Sequence, residues 1–128
     1  MRLFEKRLPD AELEIMKVIW HNPYPISTSE VKKLIDSETE NMWTQQTLQS
    51  LLNRLIAKGF LEKDKRGKEY IYTPLVAESD YVEFESEQFL KKMHSGSVVG
   101  LMRALFDSKK ISNSDIAELE KLFKENKE

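Results

Sequence analysis

The 128-residue chain contains no cysteine, which excludes disulfides, thiolate metal sites and thiol-based redox sensing at once. Its only histidines are His21 and His94. Neither stands in an HExxH spacing, so no motif of a zinc peptidase or a Ser/His/Asp hydrolase is present, and both read as surface residues near helix ends. No run approaches the roughly 18–20 apolar residues that span a bilayer. The opening stretch MRLFEKRLPD also lacks the apolar core of a signal peptide. These absences predict a cytoplasmic protein with no membrane insertion, no cofactor, no metal and no catalytic residues. A large excess of one charge is missing too. The formal net charge is −2, which argues against indiscriminate polyanion binding. Residues 1–74 carry 12 Lys+Arg against 11 Asp+Glu, and residues 75–128 carry 8 against 11, so any basic footprint must be local.

What is present is helical pattern. An apolar fraction of 40% and a charged fraction of 33% fit a helix-rich chain that forms one compact domain, or two small pieces sharing a core by dimerising. The most informative stretch is TQQTLQSLLNRLIAK at 44–58, closed by Gly59. Leu48, Leu51, Leu52, Leu55 and Ile56 fall on one helical face. The opposite face is uncharged until Arg54 and carries Gln45, Gln46, Gln49, Ser50 and Asn53. Such amides and hydroxyls both donate and accept, and Gln or Asn can pair with adenine in a bidentate manner in a major groove wide enough to admit a helix. Taken alone, the same stretch also fits an amphipathic helix with a solvated amide face.

The surroundings bear on that choice. LPDAELEIMKVIW at 8–20 places Leu8, Leu13, Met16, Ile19 and Trp20 at helical spacing, with Glu12 and Glu14 in the first turn, where the helix dipole favours acids. Asn22, Pro23, Tyr24 and Pro25 end that helix, and 24–26 reads as a short extended piece. Ser27 and Glu30 form a capping box, with Ile26 placed to staple against Val31, for a second helix to about Asp36. A polar loop leads to Trp43 and Thr44, the staple and N-cap of the key helix, and Gly59 terminates it. The period then falls to 2. Residues 60–64 and 68–73 flank Lys65, Arg66 and Gly67 as a β-hairpin, with Lys63, Lys65, Arg66 and Lys68 crowding its tip. Those lysines would equally serve to protect a strand edge. The order helix, short strand, helix, helix, hairpin is that of a winged helix-turn-helix, whose third helix enters the major groove while the wing lies along the backbone.

Pro74 marks a boundary, giving a winged domain at 1–74 and a helical domain at 75–128. The fold class expected is mainly α with a small β-hairpin, a winged helix-turn-helix followed by a three-helix dimerisation region. A helix at 78–94 carries Tyr81, Phe84, Phe89, Leu90 and Met93, and Ser95, Gly96 and Ser97 break it. A second carries Val98, Leu101, Met102, Leu105 and Phe106 to about Ser108. A third is capped by Ser112 and Asp115 and carries Ile116, Leu119, Leu122 and Phe123. Three amphipathic helices of this size have more apolar face than they can bury alone. Dimerisation would cover Tyr81, Phe84, Phe89, Leu90, Leu101, Met102, Leu105, Phe106, Ile116, Leu119, Leu122 and Phe123. Packing of the helices back onto the winged domain is the alternative.

Four stretches together resemble the BlaI/MecI penicillinase-repressor family over nearly the whole chain: LPDAELEIMKVIW, TQQTLQSLLNRLIAKGFL, YIYTPLV and ESEQFLKKMHSGSV, with the closing ISNSDIAELEKL. The resemblance implies a homodimeric repressor on a palindromic double-stranded DNA operator, of β-lactamase or β-lactam-resistance genes. It further implies inactivation when a partner membrane metalloprotease sensor brings about cleavage in the second carboxy-terminal helix. By position that bond is Ala104 to Leu105, where better-known members have Asn-Phe. Positions 46 and 49, often basic in related repressors, are Gln46 and Gln49 here, while Thr47 and Ser50 agree with the family's small hydroxyl residues. A copper-sensing branch relies on CxC motifs, which a chain without cysteine cannot supply.

The DNA-facing set is then Gln45, Gln46, Thr47, Gln49 and Ser50 for base edges and nearby sugar-phosphate, Thr44 as the cap, and Arg54, Lys63, Lys65, Arg66 and Lys68 for phosphates. Two other readings use the same residues. One is a winged-helix protein-interaction module, favoured by the acidic total. The other is a repressor released by a small ligand, with Tyr81, Phe84 and Phe89 as the lining.

Overall fold

The computed structural model describes residues 7–126. The reading of the first ten residues as lacking a signal-peptide core therefore lies, for residues 1–6, outside the described residues. The elements, in order, are α1 (Asp10–Trp20), β1 (Ile26–Ser27), α2 (Thr28–Glu38), α3 (Gln45–Ala57), β2 (Leu61–Arg66), β3 (Glu69–Pro74), α4 (Glu78–His94), α5 (Val98–Asp107) and α6 (Asn113–Glu125). Six helices and one small antiparallel sheet in the strand order β1-β3-β2 make this a mainly α protein with a winged helix-turn-helix at its amino-terminal end.

Local chemistry sets the element ends. Ser27 Oγ accepts from the Glu30 N–H at 3.2 Å and the Glu30 carboxylate reaches back to the Ser27 N–H, so the capping box that starts α2 is complete. Thr44 Oγ1 accepts from the Thr47 N–H at 3.1 Å and starts α3. At the other end of α3, Gly59 takes a φ of 81°. Its N–H donates to the Ile56 carbonyl and the Phe60 N–H to the Leu55 carbonyl, two bonds that close the last turn and send the chain into β2.

The chain divides into two compact units, at residues 1–83 and 84–128. In the first unit, Ile15, Met16, Ile19, Val31, Ile35, Leu48, Leu52, Leu55 and Tyr72 are fully buried. Leu13, expected to face inward, is only half-buried, and Ile15 and Val18 take that role. The amino-terminal unit extends nine residues past Pro74 because the segment after β3 packs on α1. Trp20 Nε1 donates to the Val76 carbonyl at 2.9 Å, the Leu8 N–H donates to Tyr81 Oη at 2.6 Å, and His21 Nε2 lies 2.7 Å from Glu78 Oε2. Tyr81 also packs against Trp20 and Phe60, with ring centroids 6.1 and 5.5 Å apart. Tyr81 is thus a core residue of the winged unit, and its assignment to a dimer interface is corrected. Phe84 is likewise buried within the chain and has no free surface to offer a partner. The aromatic trio proposed as a ligand lining is also broken up, since Phe89 is exposed.

The carboxy-terminal unit has the opposite character. No described residue of α5 or α6 is buried, although Val98, Val99, Phe106, Leu122 and Phe123 are each more than half exposed. Between these helices an open groove of about 500 Å³ is lined by Val99, Met102, Phe106, Ile111, Ile116 and Leu119, with Arg103 and Asp107 at its edge. The cap of α6 is a second complete box, with the Ser112 N–H donating to Asp115 Oδ2 at 2.9 Å and the Asp115 N–H donating to Ser112 Oγ at 3.1 Å. The Ser112 backbone N–H, and after it the Ser112 hydroxyl, hold the Asp115 carboxyl below its ordinary value. A depressed carboxyl contributes stability above its unfolded pKa and loses it as pH falls through the folded one. Acidification below the usual carboxylate range should therefore fray the first turn of α6, a loss visible by far-ultraviolet circular dichroism. In Asp115→Asn this acid-dependent step should vanish, with somewhat lower helicity already at neutral pH.

Candidate nucleic-acid interface

Four leucines, Leu48, Leu51, Leu52 and Leu55, bury one face of α3. The rest of the helix is consequently fixed outward: Gln45, Gln46, Thr47, Ser50, Asn53 and Arg54 are exposed and Gln49 is half-buried. Thr44 is exposed as well, but its hydroxyl is occupied by the cap and by Thr47 Oγ1 at 3.1 Å. The loop before α3 is anchored by Asn41 Nδ2, which donates to Glu14 Oε2 on α1 at 2.9 Å.

The wing differs from its expected layout. The turn is the two-residue Gly67-Lys68, with Gly67 at a φ of 64°, the arrangement that places glycine first in a tight hairpin. Lys65 and Arg66 therefore belong to β2 rather than to the tip. Directly paired residues of antiparallel strands point to the same face, and the pairs Lys63 with Tyr72 and Lys65 with Tyr70 put both lysines on one side. Arg66 pairs with Glu69 and points to the other side, with Glu62 and Asp64, so the four cations do not form one cluster. Lys63 Nζ stands 4.5 Å and Lys65 Nζ 5.6 Å from the centroid of the Tyr70 ring, contacts within the range of cation–π attraction.

Helix and wing are joined through Tyr72. Its ring is fully buried, and its hydroxyl accepts from Gln49 Nε2 at 3.2 Å and lies 3.5 Å from Thr28 Oγ1 at the start of α2. The wing face that carries Lys63 and Lys65 is thereby continuous with the amide and hydroxyl face of α3. Sequence reasoning missed Tyr70 as part of this surface, and Tyr72 and Thr28 as the residues that support it from beneath. The signal was the period-2 pairing of YIY with the lysines opposite, but it can be read only once the turn position fixes the register.

The family model described as "Penicillinase repressor" matches residues 8–125. The chain belongs to the penicillinase repressor family. That family comprises repressors rather than enzymes. One curated relative, the penicillinase repressor of Bacillus licheniformis, is 39% identical over 125 residues, covering 95% of each chain. The methicillin resistance regulatory protein MecI of Staphylococcus aureus (strain N315) is 29% identical over 112 residues, covering 88% of this chain and 89% of that protein. A solution structure of the monomeric form of Bacillus licheniformis BlaI in complex with the blaP half-operator aligns with 59% of this family member and 89% of that chain, at 45% identity and a TM-score of 0.49. Among the described residues of this family member, no group of His, Cys, Asp and Glu could hold a metal ion, and no helix is long and apolar enough to cross a membrane.

Proposed function

We propose that this chain is a transcriptional repressor that binds a two-fold DNA operator as a homodimer, with α3 in the major groove and the wing along the backbone. The observation that carries this reading is the Gln49–Tyr72 contact, which joins the uncharged reading face of α3 to the lysine face of the wing. Gln45, Gln46, Thr47, Gln49 and Ser50 face base edges and nearby sugar-phosphate. Arg54, Lys63, Lys65 and Lys68 meet phosphates, which position the protein without specifying sequence. Arg66, on the opposite wing face, contributes least of the cations. The apolar groove and unburied faces of α5 and α6 form the dimer seat, with Leu101, Met102, Leu105, Phe106, Ile116, Leu119, Leu122 and Phe123, because exposed apolar patches of this kind mark association surfaces. Phe89 and Leu90 extend it along α4. Family membership supports control of β-lactam-resistance genes; release by a membrane metalloprotease sensor is part of the proposal, with Ala104–Leu105 the bond that corresponds by position although the residues differ from the family's Asn-Phe. That bond lies within the last turn of α5, so cleavage requires the end of the helix to open locally.

Selection from a random duplex pool at about 150 mM salt, where non-specific binding is suppressed, should enrich a palindrome with half-sites about one helical turn apart or a multiple of it. On that operator, Gln49→Ala should cost roughly 1–3 kcal/mol and relax one base position. Lys65→Ala should instead weaken all sequences alike and lower the salt slope by about one unit. Equal losses on operator and random DNA in both variants would reject this division of labour.

A further inference from the structure

Gln49 has the chemistry to read adenine with both of its amide atoms, yet its surroundings leave only one of them available. Its Nε2 donates to Tyr72 Oη at 3.2 Å and to Asn53 Oδ1 at 3.1 Å. A primary amide nitrogen carries two hydrogens, and here both are engaged by groups of the protein itself. What remains is Oε1, an acceptor. Turning the Gln49 amide over would set Oε1 against Asn53 Oδ1, two acceptors, so it would require the exposed Asn53 amide to turn with it and the Tyr72 hydroxyl to become the donor. The Tyr72 hydroxyl is in turn held in place, because its ring is fully buried on β3 and Thr28 Oγ1 flanks it on the other side.

We infer that Tyr72 is a positioning residue that commits Gln49 to act as a hydrogen-bond acceptor, so that α3 reads an exocyclic base amine at this position. In the major groove that amine is adenine N6 or cytosine N4, whereas guanine and thymine present acceptors at the equivalent place. The inference rests on the DNA-reading role proposed above and names the base chemistry of one of its positions. It also places a determinant of specificity outside the recognition helix, on a wing strand whose ring never meets the DNA.

The test uses the full chain and the selected operator with every single base-pair change, titrated against wild type, Gln49→Ala, Tyr72→Phe and Asn53→Ala. Wild type should prefer adenine or cytosine at one position of each half-site, the position that Gln49→Ala reads indifferently. Comparing the adenine and cytosine operators tells which amine is used. Tyr72→Phe should lose about five-fold of that preference, the effect of one positioned hydrogen bond, while its affinity for random duplex falls by much less. A preference retained in Tyr72→Phe, or a loss spread equally over all sequences, overturns the inference. Should Tyr72→Phe fold poorly, Asn53→Ala decides. Freeing the second hydrogen must let the same position accept guanine or thymine, and an unchanged preference there overturns the inference. Enrichment of guanine or thymine at the Gln49-dependent position rejects the inference alone. Enrichment of no motif by wild type rejects the DNA-reading role and this inference with it.

Discussion

A chain carrying both Phe106→Asp and Phe123→Asp is expected to sediment as a monomer and to bind a two-half-site operator about 10²- to 10⁴-fold more weakly than the unaltered chain. That range is the loss that follows when two linked binding events become independent. Affinity for a single half-site should be unchanged, because neither residue lies in the winged unit. Phe106 and Phe123 are 62% and 64% exposed in the single chain, so aspartate at either position is well solvated in a monomer. In a dimer the same carboxylates would be enclosed in an apolar seam without partners, a state that disfavours association by several kcal/mol. Sedimentation equilibrium together with titrations on whole and half operators separates the two effects. A persistent dimer with full operator affinity would show that α5 and α6 are not where two copies meet.

The second large effect concerns stability. Glu12 is a charged residue within the winged core: its side chain is 2% exposed, and its Oε1 receives Lys58 Nζ at 2.5 Å. Lys58, just past the end of α3, keeps 42% of its side chain in water. Lys58→Ala should leave an uncompensated buried carboxylate and cost about 2–3 kcal/mol, somewhat below the 3–5 kcal/mol typical of pairs buried on both sides. For a unit of this size the melting temperature should fall by about 10 °C or more. The double variant Glu12→Leu, Lys58→Met should recover most of the loss, since an apolar pair of similar volume avoids the desolvation of both charges. Thermal denaturation followed by the fluorescence of Trp20 and Trp43 reads both. If Lys58→Ala melts with the unaltered chain, the pair contributes nothing to holding α1 against α3.

The comparison of sequence with structure turns on which features are local. The two capping boxes, the Thr44 cap, the Gly59 terminus and the bounds of α4 were legible because each depends on residues three or four apart. The hairpin turn was misplaced because β2 reads LEKDKR, a strand with one buried residue and no apolar alternation to locate it. Local sequence presents Glu12 as a dipole-favoured acid of the first turn, whereas its partner lies 46 residues away. Tyr81 was grouped with Phe84 and Phe89 by helical spacing alone, although its hydroxyl binds a backbone N–H 73 residues distant. The candidate DNA surface followed the same rule. The outward residues of α3 were readable from the leucine stripe, whereas the link from Gln49 to Tyr72, and with it the continuity of helix and wing, depends on long-range packing.

That link bears on attempts to move this protein's sequence preference into another scaffold. Grafting residues 44–57 onto a different winged helix would transfer the leucines that seat the helix and the side chains that project from it. It would leave behind the phenol that orients one of those side chains and the threonine beside that phenol. If Tyr72 orients Gln49 on DNA as proposed, a chimera of that kind would bind DNA but discriminate poorly at the base pair that Gln49 reads. The smallest portable unit is three separate pieces of chain, the start of α2, the recognition helix and the second strand of the wing, which have to be exchanged together.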